Sequence, residues 1–84
     1  MRRKRGDWQT PLDDEILELL AESELTLSPS IMAFNLDRSR EGVADRISVL
    51  TDYGLVEKVE RGKYRITEQG NQYLQGKLDA SKLD

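Results

Sequence analysis

The segment from Ser39 to Thr67 constrains the fold more than any other part of the chain. Val43, Ile47 and Leu50 recur at spacings of four and three, which keeps them on one face of a helix that points into a core. Ser39 stands before them as an N-cap whose hydroxyl can accept from a free first-turn amide. Gly54 follows them and can take the left-handed conformation that ends a helix. Beyond it, Val56, Val59, Tyr64 and Ile66 supply strand-forming side chains on either side of Arg61-Gly62, a pair whose glycine tolerates the positive φ of a tight turn. The expected product is a capped amphipathic helix and a short hairpin, with Lys58, Arg61, Lys63 and Arg65 at or near its tip.

The flanking sequence extends this pattern. Thr10-Pro11 reads as an N-cap with proline at the first helical position, and the acids from Asp13 to Glu15 suit the positive end of the helix dipole. A first helix is predicted to run to about Ser23, burying Leu12, Ile16, Leu19 and Leu20 and leaving Asp14, Glu18 and Glu22 outside. Leu25-Thr26-Leu27 is short and β-prone, and is expected to pair with the hairpin as a third strand. Ser28-Pro29 repeats the cap-and-proline signal and opens a short helix to about Leu36, with Ile31 and Phe34 or Asn35 at helical spacing. Asp37 to Ser39 is then a turn. Two helices joined this way, the second longer and capped, make a helix-turn-helix in which the second helix enters the major groove. Thr67 is expected to cap a last helix through about Leu78, burying Tyr73, Leu74 and Leu78, although Gly70 and Gly76 weaken it. Residues 1–7 read as a mobile basic arm with Trp8 as the first anchor, 8–78 as the folded domain, and 79–84 as a frayed tail with Leu83 the candidate exception.

Composition removes most alternatives. A chain of 84 residues forms one small domain, burying only about 60% of its extended surface. Without cysteine or histidine it lacks disulfides, thiolate ligands and the commonest general base and metal ligand. The carboxylates Asp13, Asp14, Glu18 and Glu22 sit on an expected exposed face that offers no cleft to shift their pKa values, so neither an enzyme, a metal site nor a cofactor is expected. No apolar run approaches the roughly 20 residues of a membrane span, and Met1 to Arg5 is not followed by the apolar core of a signal peptide; a cytoplasmic protein is expected. The net charge of −3 is unevenly placed. Bases gather at the arm and hairpin, acids at Asp13, Asp14, Glu15, Glu18, Glu22 and Glu24.

Leu50-Thr51-Asp52-Tyr53-Gly54-Leu55-Val56, then Arg61-Gly62-Lys63-Tyr64-Arg65-Ile66-Thr67, then Gly70 and Tyr73-Leu74 resemble the winged-helix repressors of the ArsR, MarR and PadR kind. The likeness is greatest to the small phage-repressor-like winged-helix proteins of halophilic archaea, which share the Arg-Gly-x-Tyr-x-Ile-Thr wing and the trailing Tyr-Leu. That resemblance implies a mainly α fold with a small antiparallel β-wing. It also implies sequence-specific binding of double-stranded DNA, usually as a dimer, with helix three in the major groove and the wing on the backbone or minor groove.

The residues can be weighed against that role. With Val43, Ile47 and Leu50 inward, Glu41, Asp45, Ser48 and Asp52 face outward, and three of those four are acids. A carboxylate can accept from cytosine N4, but several together face phosphate repulsion. Arg38 and Arg40 flank the helix N-terminus and Arg46 lies to one side, each with the fork suited to guanine or phosphate. The candidate reading set is Arg38, Ser39, Arg40, Glu41, Ala44, Asp45, Arg46 and Ser48, with Asp52 too far along to reach a duplex. Lys58, Arg61, Gly62, Lys63 and Arg65 form the candidate wing contact, or else a charged edge that discourages strand pairing. Arg2, Arg3, Lys4 and Arg5 could thread a minor groove or float free. Trp8 is expected as a core or dimer anchor rather than a base-stacking platform, and Leu78, Leu83 and the Trp8 region as a small dimer interface. Three functions stay open: a repressor that reads an operator, a protein-interaction module using the acidic surfaces, and a nonspecific architectural binder. No small-molecule ligand is expected.

Overall fold

The structure, a computed structural model, describes residues 6–83, so the arm residues Arg2, Arg3, Lys4 and Arg5 lie outside the described residues. The order is α1 (Pro11–Ser23), α2 (Pro29–Leu36), α3 (Arg40–Asp52), β1 (Val56–Glu60), β2 (Lys63–Ile66), α4 (Glu68–Leu74) and a closing 3-10 turn (Ala80–Lys82). The two strands form an antiparallel hairpin, with Val56 opposite Ile66 and Lys58 opposite Tyr64. Val59 is an extra residue between Lys58 and Glu60, a bulge that twists the tip of the wing. Among the described residues no helix is long and apolar enough to cross a membrane.

Three of the four caps read from the sequence are made; the Thr10 hydroxyl accepts no cap hydrogen bond, and α1 is started instead by Asp13 Oδ2, which accepts from the Thr10 amide at 2.9 Å. Ser39 Oγ accepts from the Gly42 amide at 3.0 Å, Ser28 Oγ from Ile31 at 3.3 Å, and Thr67 Oγ1 from Gly70 at 3.0 Å. Thr67 also donates its hydroxyl to the Gly54 carbonyl at 2.7 Å, so one side chain starts α4 and ties it to the end of α3. Gly54 and Gly62 take φ of 79° and 76°, as the helix stop and the hairpin turn require. Val43, Ile47 and Leu50 of α3 are buried with Ile16, Leu17 and Leu20 of α1, Met32 of α2, Leu55, Val56 and Tyr73.

Four expectations differ from the structure. On α1, Leu17 is fully buried while Leu12 and Leu19 are half-buried, and Asp14, expected outside, lies in the interior. On α2 the inward residues are Met32 and Ala33, leaving Ile31 half-exposed and Phe34 86% exposed. That helix is apolar nearly all round, so spacing alone could not choose its face. The third strand shrinks to a single bridge in which Leu27 and Tyr64 exchange 2.9 Å backbone bonds, because Ser28-Pro29 starts α2 at once. Finally, α4 stops at Leu74, not Leu78: Gly76 turns left-handed (φ 76°) and the Gly76 and Lys77 amides close on the Tyr73 and Gln72 carbonyls, a Schellman ending.

The tail is also more ordered than expected. Asp79 accepts from the Ser81 amide at 3.0 Å, Ala80 is fully buried, and Leu83 packs on the core. Leu78 and Trp8 pack there too, so the three groups expected to form a dimer interface are engaged within the chain.

Gly70 shows why a helix-weakening residue stands in α4. A Cβ there would lie 2.4 Å from the Leu55 carbonyl oxygen and 2.5 Å from Ile66 Cγ1, distances that real side chains do not tolerate. Gly70→Ala, although it improves helix propensity, is therefore expected to destabilise the domain by about 2 kcal/mol through overpacking. Urea denaturation followed by circular dichroism checks this, and an unchanged or raised midpoint would show that α4 can shift aside.

Candidate nucleic-acid interface

The helix-turn-helix is closed by Asp37, which adopts a left-handed conformation (φ 55°) after α2, while the Arg38 amide reaches back to the Ala33 carbonyl at 3.0 Å. A non-glycine residue pays little here, since aspartate tolerates this region better than most. The turn leaves the N-terminus of α3 exposed. Ser39, Arg40, Glu41, Asp45, Ser48 and Asp52 are all exposed and Ala44 is half-buried, so the face expected to read bases is open to solvent.

The basic residues divide into paired and unpaired. Arg38 makes a two-pronged contact with Glu15 of α1, through Nε at 3.2 Å and Nη2 at 2.7 Å, and the hydrogen bond to Glu15 raises its pKa above the ordinary arginine value. Arg65 Nε donates to Glu57 across the hairpin, and Lys63 Nζ lies 3.1 Å from Glu60. Among the described residues Arg40, Lys58 and Arg61 enter no ion pair. The exposed pairs are weak and can be exchanged for a phosphate. Their acids nonetheless reduce the positive field of the wing.

Arg46 is a different case. Its Nε donates to Asp13 Oδ1 at 2.7 Å, and its Nη2 donates to Asp13 Oδ2 at 2.8 Å and to the Trp8 carbonyl at 2.9 Å. The Asp13 side chain is fully buried and that of Arg46 is 22% exposed. Hydrogen bonding to Asp13 is the main cause that raises the Arg46 pKa, against desolvation. The guanidinium is thus committed to holding α3 against α1, and Arg46 is removed from the reading set. Its signal was invisible in the sequence because the partner lies 33 residues away.

Two further contacts brace α1 and α3 behind the same site. Asp14 accepts from the Tyr73 hydroxyl at 2.7 Å in the interior, linking α1 to α4. Trp8 stacks on Tyr53, the C-cap of α3, with ring centroids 3.9 Å apart and planes within 2°, and donates Nε1 to the Ala80 carbonyl at 3.3 Å. Trp8 is an anchor within the chain, as one of its expected roles required. Among the described residues no group of three or more carboxylates is placed to hold a metal ion.

Three packed helices followed by a bulged two-stranded hairpin, with the third helix presented outward, define a winged helix-turn-helix domain. The model of the winged helix-turn-helix phage repressor family matches residues 1–84, and the chain belongs to that family, which is not a class of enzymes. It is 35% identical to the repressor protein of Halobacterium phage phiH, over 96% of each chain. The crystal structure of the PhiH1 repressor-like protein from Haloarcula marismortui superposes with a TM-score of 0.88 at 38% identity, covering 99% of this chain and 96% of that one. IdeR from T. acidophilum matches at a TM-score of 0.69 and 28% identity over 76% of this chain and 32% of that one.

The ion pair carries a stability prediction. Arg46→Met strands a buried carboxylate and is expected to cost about 3 kcal/mol, whereas Asp13→Leu combined with Arg46→Met is expected to recover much of that loss. Thermal and urea unfolding of the two single variants and the double variant measure the coupling. Additive losses would mean that the two side chains do not depend on each other.

Proposed function

We propose that this protein is a sequence-specific, double-stranded DNA-binding transcriptional regulator that acts as a repressor, with α3 in the major groove and the wing against the phosphate backbone. The observation that carries this reading is the exposed N-terminal half of α3. There Arg40, which enters no ion pair among the described residues, stands beside Glu41, Ala44, Asp45 and Ser48, the residues that docking geometry brings closest to base edges. Arg40 supplies the bidentate donor for guanine, while Glu41 and Asp45 are acceptors for cytosine N4. Ser39 and Arg38 flank the groove, and Arg61 at the turn, with Lys58, supplies the unpaired backbone contacts; Lys63 and Arg65 would first have to leave Glu60 and Glu57. The family and its repressor relative support the same reading.

The distribution of charge favours selective over nonspecific binding. Acids on α3 repel phosphates wherever they are not matched by a base donor, and half of the wing cations are offset by their own glutamates. A two-fold dimer on a palindromic site fits the function. The basic arm Arg2 to Arg5 is available in sequence for further phosphate contacts. A protein-docking role draws support from the exposure of Ile31 and Phe34 on α2.

Arg40 and Arg61 separate the two kinds of contact. Arg40→Ala is expected to weaken binding to a preferred duplex by about tenfold or more and to relax discrimination at one base position. Arg61→Ala is expected to weaken all duplexes alike and to lower the logarithmic salt slope by about 1. Fluorescence anisotropy over a salt series measures both. Equal effects of Arg40→Ala on preferred and scrambled duplexes would contradict a reading role for α3.

A further inference from the structure

The groups around Trp8 grip α3 at two points on one stripe. Arg46 and Tyr53 are seven residues apart, so they lie within about 20° of each other around the helix. Both meet Trp8: the Arg46 guanidinium holds its carbonyl at 2.9 Å, and the Tyr53 ring stacks on its indole at 3.9 Å. The indole is tethered in turn to the C-terminal turn through Nε1 and Ala80. Val43, Ile47 and Leu50, which bury α3 in the core, lie on a separate stripe about 70° away around the helix. An apolar stripe alone resists lifting of the helix but only weakly resists roll about its axis, because apolar contacts carry no direction. A lateral grip does resist roll, and it has two parts, the bidentate pair of Arg46 with Asp13 and the Trp8 ring stacked on Tyr53.

We propose that Trp8 is a positioning residue for DNA recognition: by stacking its indole on Tyr53, beside the point where Asp13 and the Trp8 carbonyl hold Arg46, it fixes the rotation of α3 about its axis, and so decides which of Arg40, Glu41, Ala44, Asp45 and Ser48 meet base edges. This deepens the DNA-reading proposal and rests on it. Trp8 touches no base. Its effect is on discrimination between sequences rather than on affinity for phosphate, since a helix that rolls by tens of degrees still sits in the groove but presents a changed set of donors.

The test is selection from a random-sequence duplex library with the full chain, its Trp8→Ala variant and its Trp8→Phe variant, at a temperature where circular dichroism shows all three folded. Trp8→Phe keeps a ring over Tyr53 and lacks the donor to Ala80. The expected result is a defined motif for wild type and Trp8→Phe. For Trp8→Ala the expected result is a degenerate motif, with the preference for the wild-type motif over a scrambled duplex reduced about tenfold, the scale of one aromatic pair. Affinity for the scrambled duplex and its salt slope should stay unchanged. In the free protein, NMR relaxation dispersion should show new exchange at the amides of Arg40 to Ser48 in Trp8→Ala alone. The same sharp motif from Trp8→Ala, or a parallel fall on motif and scrambled duplex, would overturn the positioning role. Equal loss in both variants would overturn its assignment to the stacked ring. A wild-type chain that selects no motif would instead overturn the DNA-reading proposal, and this one with it.

Discussion

Two adjacent acids at the start of α1 hold this small domain in its functional shape. Asp13 takes the Arg46 guanidinium of α3 and also accepts from the Thr10 amide at 2.9 Å, while Asp14 takes the Tyr73 hydroxyl of α4. Taking a carboxylate fully out of water is costly unless its oxygens are satisfied, and Asp13 is satisfied three times over. Because such bonds require specific distances and angles, they select one arrangement of α1, α3 and α4 from the many that an aliphatic core of this size would allow. The core supplies most of the attraction and the acids supply direction. A buried pair is also screened by salt far less than a surface one.

The same economy shapes the surface. Acids close to the wing and α2 hold Arg38, Lys63 and Arg65 in weak exposed pairs, and Arg40, Lys58 and Arg61 are left unpaired among the described residues. A molecule with this pattern is poorly suited to bind any polyanion indiscriminately. On the proposed reading it suits a duplex whose bases offer donors to Glu41 and Asp45 and acceptors to Arg40, where its phosphates meet Arg61. Repulsion from the wrong sequence is as useful to selectivity as attraction to the right one.

How much of this was legible in the sequence depended on the range of the interaction. The caps at Ser28, Ser39 and Thr67, the turn at Gly62 and the stop at Gly54 act over a few residues, and each was readable. The α3 core stripe was readable as well, because a polar face defines it by contrast. On α2 no such contrast exists, and its inward face is set by α1 and α3. Asp13, Asp14 and Arg46 read as surface charges because their partners are 33 and 59 residues away. The candidate site divides on the same line: the exposed candidate reading residues followed from helical phase, and Trp8 was legible as an anchor, whereas the partners beneath them, Asp13 for Arg46 and Tyr53 for Trp8, follow only from the fold.

The account rests on α3 as a reader of bases, and an amide-shift NMR titration of the labelled chain tests it most directly. The ligands are a duplex from its own upstream region and a scrambled duplex of equal length, each at low and high salt. Shifts across Arg40 to Ser48 with the upstream duplex alone, persisting at high salt, are the predicted result. Shifts confined to Lys58 to Arg65 with either duplex, vanishing as salt rises, would contradict it.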